Sequence, residues 1–346
     1  KCYRCSTTVQ LIPSWQWFMK ITSRSKIAIK AVKNGKIRFY PKNWEKVYFN
    51  WLENIKDWCI SRQIWWGHKI PLKGETDVLD TWFSAALWPF ATLGWPKKTK
   101  DLKTFYPTNV LSTDRGIINL WVARMIFSGI EFMKKIPFKD IYIHPTVLTK
   151  EGKRMSKSLG TGINPMDLID KYGTDATRFG MIYQAMGNQD IRFAEDHIVA
   201  GQKFCNKIWN ASRFVLERTS DSKDKLQSTK LRFRVQNLTS ADKKVLKALD
   251  KTIKLINKDL ESFRFGQASH IIYNFFWHDF CDKYIEVAKK QLRTDSKEQT
   301  TKVLFYVLLT SLKLLHPFMP FITEEIYQKF PLKAKKAIII EDWPIL

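Results

Sequence analysis

The chain has 346 residues, 45% of them hydrophobic, with 58 lysines and arginines against 33 aspartates and glutamates. The formal net charge of +25 at pH 7 indicates a polyanionic partner, with nucleic acid the first candidate and an anionic membrane the second. No run of 18 or more apolar residues occurs, so we predict no membrane span. The five cysteines are scattered and odd in number, which argues against a disulfide framework and for a reducing compartment.

The first 40 residues contain two informative patterns, a cysteine pair and a turn between two alternating runs. Cys2 and Cys5 form a Cys-x-x-Cys pair, which is one half of a tetrahedral zinc site. Two thiolates alone leave the coordination shell of the metal incomplete, so we expect at most a half-site. Residues 26–40 alternate apolar and polar side chains around Asn34-Gly35, which predicts a β-hairpin.

The middle of the chain alternates between helix and strand signals. Apolar residues recur close to helical spacing from 44 to 66, and we interpret the paired tryptophans Trp65 and Trp66 as core residues. A strand-like run at 109–112 leads into a helical stretch at 117–131. A further strand follows at 141–148. This alternation predicts a parallel sheet with covering helices.

A basic loop follows that last strand. Arg154, Ser156, Lys157 and Ser158 supply two cations and two hydroxyls, and Gly160 gives the backbone freedom to bend. Ammonium and guanidinium groups of this kind suit a polyphosphate, because they neutralise charge that builds up on a leaving pyrophosphate. The alternative is a solvated basic turn.

Beyond residue 195 the strand signals stop and helical periodicity takes over. Apolar residues near one face predict helices over 198–217, 240–260, 266–291, 299–315 and 321–330. A polar linker, rich in serine and lysine, occupies 219–230. The pattern predicts an all-α bundle.

Several blocks together resemble one family, the valyl-tRNA synthetases of class I. The blocks are 51–71, 77–96, 121–125, 154–160, 170–179, 189–193 and 314–325, and they span nearly the whole chain. The run Trp65-Trp66-Gly67-His68 favours the valine type, since the isoleucine enzymes usually carry Tyr-Trp-Gly-Thr there.

The resemblance implies an α/β fold: the second half of a Rossmann-like parallel-sheet catalytic domain, followed by an all-α anticodon-binding bundle. It implies a division into 1–40, the trailing edge of an editing insertion with half a zinc ribbon; 41–195, the catalytic part; and 196–346, the anticodon-binding part. It also implies ATP-dependent activation of valine and its transfer to tRNA(Val) in the cytoplasm. ATP would act as its Mg²⁺ complex, and Zn²⁺ would share ligands with a portion absent from this chain.

The resemblance also assigns site residues. Lys157 would be catalytic and would contact the ATP phosphates together with Arg154, Ser156 and Ser158. The amino-acid pocket would be walled by a second set of residues, Asp80, Thr81 and Trp82. Plain core packing is the alternative for Trp82. Cys2 and Cys5 would be the metal half-site.

Two departures from the family pattern limit these expectations. No His-x-Gly-His element is present, so we expect the chain to be inactive alone and to need an N-terminal half, with a monomer as the complete form. Asp114 and Gly116 stand where the family usually has Gly and Asp, so either the loop has re-formed around Asp114 or substrate binding is weakened. A non-enzymatic tRNA-binding module and an isoleucine- or leucine-type synthetase are the alternatives.

Overall fold

A computed structural model describes most of the chain. The described residues are 1–2, 5–10, 12–156, 160–187, 189–219, 238–331 and 333–345. They form two compact units, Lys1–His144 and Pro145–Leu346. The boundary between the two units, after His144, differs from the predicted boundaries after residues 40 and 195. Those boundaries separate functional parts of the chain, and they stay predictions. Almost all of the predicted linker lies outside the described residues.

The first unit combines short strands with helices that cover them. Its elements are β1 (Phe18–Met19), α1 (Thr22–Lys33), β2 (Arg38–Tyr40), α2 (Trp44–Glu53), β3 (Trp58–Cys59), β4 (Ser61–Arg62), β5 (Val78–Leu79), α3 (Thr81–Ala86), α4 (Trp88–Ala91), α5 (Lys100–Phe105), β6 (Thr108–Thr113), a 3₁₀ turn (Arg115–Ile117), a π-helical turn (Ile118–Val122), α6 (Ala123–Met133) and β7 (Phe138–Ile143). Strands β2, β7 and β6 form a parallel sheet in that order, which confirms the predicted sheet. Two antiparallel pairs, β1 with β3 and β4 with β5, lie outside it.

Register places apolar residues of the three parallel strands side by side. Ile141 on β7 pairs with Phe39 on one side and with Leu111 on the other. Phe39 and Ile141 are buried, and Leu111 packs against the same cluster. Residues of α1 and α6 complete this core, as expected for a parallel sheet that needs helical cover.

The predicted hairpin over 26–40 is wrong, because its first part is the helix α1. The Asn-Gly pair ends this helix instead of turning a hairpin. The Gly35 N–H donates to the Val32 carbonyl at 2.9 Å, and the Lys36 N–H donates to the Ala31 carbonyl at 3.1 Å. Gly35 has φ +70°, so these bonds form a Schellman cap that favours glycine.

The interpretation of the paired tryptophans as core residues is also wrong. Trp65 is 97% exposed and Trp66 is 75% exposed. They lie in the connection between β4 and β5, where no helix or sheet face covers them among the described elements. A sequence pattern reports that a residue is apolar, and only the packing decides whether it is covered.

The stretch Arg115–Met133 is the one described helical segment long and apolar enough to pass a length-and-hydropathy test for a membrane span. Half of the apolar 18-residue stretch within this segment is buried inside the protein. Residues 123–129 of α6 are all buried, including Arg124. Burial in the core of the first unit accounts for this hydropathy.

The second unit is mainly helical, which confirms the predicted bundle. Its elements are β8 (Val147–Leu148), α7 (Pro165–Tyr172), α8 (Thr174–Tyr183), β9 (Ile191–Arg192), α9 (Asp196–Thr219), α10 (Ser240–Glu261), α11 (Phe265–Asn274), a π-helical segment (Phe275–Ile285), α12 (Glu286–Gln291), α13 (Lys297–Leu315), α14 (Pro320–Gln328) and a 3₁₀ turn (Ile338–Ile340). Strands β8 and β9 pair in parallel. Helix α7 begins after Asn164, whose side chain accepts from the Met166 N–H as an N-cap.

A buried carboxylate, that of Asp242, forms hydrogen bonds inside the apolar core of the bundle. Asp242 is fully buried near the start of α10. Its carboxylate accepts from the Thr239 N–H at 3.0 Å in a capping box and from the Tyr284 hydroxyl at 2.6 Å. Burial raises the pKa of Tyr284, so this hydroxyl keeps its proton and remains a donor. The bond ties the start of α10 to the π-helical segment.

Helices α8 and α11 approach each other closely at a glycine. A Cβ at Gly266 would overlap the carbonyl oxygen of Ala185, which follows α8. A comparable overlap would arise at Gly201 of α9 with the carbonyl oxygen of Ala176. Both glycines are required because backbone atoms occupy the space that a side chain would need.

We predict that Gly266→Ala lowers the free energy of unfolding by about 2 kcal/mol or more, because the backbone of Ala185 has to move. Gly162→Ala is the matched control, since a Cβ there meets no atom within 4 Å. We expect the control to stay within about 0.5 kcal/mol of the parent. Urea unfolding of the three proteins measures the difference, and equal values for both variants would contradict the close approach.

Candidate functional site

The first unit contains a cavity of about 660 Å³ whose wall includes two of the three predicted pocket residues. Asp80 and Trp82 line it, whereas Thr81 is exposed and does not. Trp51, Trp58 and Arg124 also line it. The cavity therefore combines aromatic faces with a few charged groups, the composition typical of small-molecule sites.

Asp80 joins three elements at the cavity wall. Its Oδ2 accepts from the indole Nε1 of Trp58 at 2.9 Å and lies 3.1 Å from Nη2 of Arg62. Its Oδ1 caps the start of α3 by accepting from the Trp82 N–H. The residue is only 5% exposed, so these donors replace the water that a carboxylate loses on burial.

The predicted alternatives for Trp82 were a pocket wall or plain core packing. The ring is partly buried, packs beside the core of the first unit and also lines the cavity. Trp82 therefore both packs against the core and forms part of the cavity wall. A tryptophan face of this kind gives a pocket a fixed width.

Arg124 is a cavity residue that sequence reasoning missed. Its guanidinium carbon lies 4.3 Å from the ring centroid of Trp58 and 5.4 Å from that of Trp51. Nη1 donates to the carbonyls of Asn119 and Leu120, which belong to the π-helical turn. The planar cation thus holds two aromatic walls and the turn together.

Burial makes Arg124 an unusual residue. It is 8% exposed, and its Nε is buried without a hydrogen-bond partner among the described residues. Burial lowers the pKa of its guanidinium, and the nearby Asp80 carboxylate opposes that shift. The block 121–125 was visible in the sequence, but an arginine in an apolar helix gives no local sign that it reaches a cavity.

The basic loop is built on a tight turn in the second unit. The Thr149 N–H donates to the Lys153 carbonyl at 2.8 Å, and Leu148 forms an antiparallel bridge with Arg154. The Ser156 N–H donates to Oγ1 of Thr161 at 3.0 Å. Arg154 and Ser156 are thus placed on a supported backbone.

Lys157 and Ser158, the other predicted phosphate-binding residues, lie outside the described residues. Gly160, which follows them, has φ +65° and open space around it. The backbone at this position therefore uses the left-handed conformation that glycine favours.

The loop at Asp114 has a local order of its own. Oδ1 of Asp114 accepts from the Gly116 N–H at 2.6 Å and caps the 3₁₀ turn. A Cβ at residue 116 would lie 2.9 Å from that oxygen. The two residues that depart from the family pattern therefore fit each other, in line with the first of the two sequence-based alternatives.

The predicted zinc half-site does not form a complete ligand set. Cys2 and Cys5 are free thiols, and no group of three or more metal-binding side chains occurs in the part of the chain that the structure describes. Hydrogen bonds with Thr7 lower the pKa of the Cys5 thiol. Two thiols do not supply the four ligands of a structural zinc site.

Two family models match the chain. The model of class I tRNA synthetases (I, L, M and V) matches residues 10–75 and 72–194. The model of the anticodon-binding domain of tRNA ligases matches residues 242–345, which include most of α10 and the helices after it.

Curated relatives are valine–tRNA ligases. The enzyme of Thermotoga maritima is 48% identical over 370 residues, which cover 99% of this chain and 42% of that protein. The enzyme of Clostridium tetani is 47% identical over 379 residues, with 99% and 42% coverage. The chain thus spans about two fifths of the length of these relatives.

Solved structures show the same fold at low identity. Methionyl-tRNA synthetase of Mycobacterium tuberculosis bound by methionyl-adenylate matches with a TM-score of 0.74 and 18% identity, over 90% of this chain and 62% of that one. The LeuRS of Agrobacterium radiobacter K84, in a ternary complex with tRNA and LeuAMS, matches with a TM-score of 0.67 and 17% identity, over 84% and 42%. Because the class I model matches more than half of its residues, the chain belongs to the class I tRNA synthetases of the isoleucine, leucine, methionine and valine group.

Proposed function

We propose that the chain carries part of the catalytic domain and the anticodon-binding bundle of a valine–tRNA ligase. The observation that supports this most is the 48% identity to a valine–tRNA ligase along 99% of the chain. Since the chain spans 42% of that relative, the complete reaction is proposed for an enzyme that includes a further, N-terminal portion. We propose a cytoplasmic monomer as its complete form.

The proposed reaction has two steps. A carboxylate oxygen of valine attacks the α-phosphorus of ATP, and the bond to pyrophosphate breaks, which gives valyl-adenylate. A hydroxyl of the terminal adenosine of tRNA(Val) then attacks the carbonyl carbon, and AMP leaves. ATP enters as its Mg²⁺ complex.

The cavity in the first unit suits the amino-acid side of this reaction. Trp58 and Trp82 offer flat apolar walls, and Asp80 accepts from the indole of Trp58 and from the backbone N–H of Trp82. Thr81, which is exposed, would act only from the rim. A rigid apolar pocket rejects larger side chains by clash but distinguishes valine from smaller or isosteric ones by only about 1–3 kcal/mol.

The loop that begins at Arg154 suits the phosphate side. We assign Lys157 the stabilisation of charge on the leaving pyrophosphate, with Arg154, Ser156 and Ser158 as further phosphate contacts. The supported turn at 148–154 places Arg154 at the start of this loop. A guanidinium at this position offers a planar fork of donors, which matches phosphate oxygens in pairs.

A second candidate is a tRNA-binding module without catalysis. The change at Asp114 and Gly116 favours it, because the family's Asp that contacts substrate is replaced by a glycine without a carboxylate. The isoleucine or leucine type is a third candidate, and amino-acid specificity separates it from the first. Cys2 and Cys5 would hold Zn²⁺ only together with ligands from the further portion, since they supply two of the four ligands of a structural site.

We predict that the chain alone catalyses little valine-dependent exchange of pyrophosphate into ATP. Exchange should appear when it is mixed with the part of the Thermotoga maritima relative that precedes the matched region. In that mixture Lys157→Ala should lower the exchange rate by about 100-fold or more, because a charge-stabilising donor is lost. Lys150→Ala, at an exposed lysine in the same turn, is the control. An undiminished rate for Lys157→Ala would refute the assigned role, and no gain on mixing would favour the tRNA-binding module.

Removing one wall of the cavity should change amino-acid selection. We predict that Trp82→Ala raises the KM for valine by about tenfold and admits isoleucine, because a large apolar face is lost. Trp88→Ala is the matched control, since Trp88 is 61% exposed on α4 and does not line the cavity. Pyrophosphate exchange of the mixture with each amino acid gives the comparison. Equal effects of the two substitutions would contradict the assignment of Trp82 to the amino-acid pocket.

A further inference from the structure

Exposed lysines follow one face of helix α10. The lysine stripe consists of Lys243, Lys247, Lys251, Lys254 and Lys258, all exposed. Spacings of four, four, three and four residues keep side chains on one face of an α-helix. The opposite face carries Val245, Leu249, Ile253 and Ile256, which are buried in the bundle core. The stripe therefore points away from the core along about 22 Å of helix.

None of the five ammonium groups has an ion-pair partner in the described part of the chain. Exposed lysines on three other helical segments do have one at helical spacing: Lys283 with Asp279, Lys289 with Glu286 and Lys329 with Glu325. Asp250 lies at the edge of the stripe, but no lysine that the structure describes forms an ion pair with it. The five lysines of this one face thus lack the ion pairs that Lys283, Lys289 and Lys329 have.

Like charges three or four residues apart repel each other and weaken a helix. A face that only had to be soluble would mix both signs, as the three paired positions do. A row of five lysines is therefore unfavourable in the free protein and becomes favourable when a polyanion lies along it. Charge complementarity is the argument for a ligand here.

We propose that the lysine stripe binds the phosphate backbone of RNA. Flexible, hydrated ammonium groups act as point charges, which suits phosphates and carries no base recognition. This inference rests on the proposed function for its specific partner, tRNA, and it identifies the backbone contact that orients the tRNA on the bundle. The stripe lies wholly within the region matched by the anticodon-binding model.

An anionic membrane is the other polyanion to consider. A helix that lies in a membrane surface inserts bulky apolar side chains beside its cations. The apolar face of α10 is already used by the bundle core, and Leu255, 39% exposed, is the one large apolar residue of α10 that is markedly exposed. RNA therefore fits this face better than lipid does.

The test compares two triple substitutions that remove the same charge. The stripe variant is Lys247→Gln, Lys251→Gln and Lys254→Gln; glutamine keeps the length and the helix propensity of lysine. The control variant is Lys97→Gln, Lys98→Gln and Lys100→Gln, at exposed lysines of the first unit. Affinities for a tRNA(Val) transcript and for one other tRNA transcript are measured in the full chain at several salt concentrations.

We expect the stripe variant to bind both transcripts at least about tenfold more weakly near 0.1 M salt. The slope of log Kd against log salt concentration should fall by about two to three, since each lost phosphate contact removes about one counterion. The control variant should keep the parent slope. The thermal midpoint of the stripe variant should equal or exceed that of the parent, because repulsion on α10 is relieved.

Three results would overturn the proposal. One is an unchanged slope for the stripe variant, and another is an equal loss of slope in both variants. The third is that vesicles of phosphatidylcholine with phosphatidylserine, but not RNA, lose affinity for the stripe variant. A parent chain that binds both transcripts equally well would count against the valine assignment alone and would leave the stripe intact.

Discussion

The buried carboxylate of Asp80 is the interaction on which the candidate site depends. It receives donors from β3 and β4, about twenty residues earlier in the chain, and from the first turn of α3, two residues later. A buried carboxylate that loses its donors is strongly destabilised, so the three elements are held in one arrangement. The bond from the indole of Trp58 fixes one ring of the cavity wall, and the bond from the backbone N–H of Trp82 fixes the turn that carries another.

The chain uses its excess of cations in two physically different ways. Arg124 is buried, where a flat and weakly hydrated guanidinium can stack on Trp51 and Trp58 and still reach backbone carbonyls. The lysines of α10 are exposed, where hydrated ammonium groups remain in water. The buried arginine holds the walls of a cavity in place, and the exposed lysines create a positive electrostatic potential around the bundle. Net charge alone does not distinguish these uses.

Much of the fold could be predicted from local sequence. The strand at 109–112 and the bundle helices follow from the periodicity of apolar residues, and the structure contains all of them. The hairpin prediction is wrong at residues 26–32 because their sequence pattern fits both a strand and a helix. Ile27, apolar yet 48% exposed, suits the alternation, whereas Ser25, Ala28 and Val32 face the core with helical spacing.

The sequence by itself determined the fold class, the order of the two kinds of domain and the motifs that mark the family, because these depend on neighbours along the chain. Tertiary structure alone decided that Trp65 is exposed, that Arg124 walls a cavity and that Gly266 must lack a side chain. Each of these facts depends on atoms far away in sequence. Burial and close approach are properties of packed pairs, and a local pattern carries no information about which pairs meet.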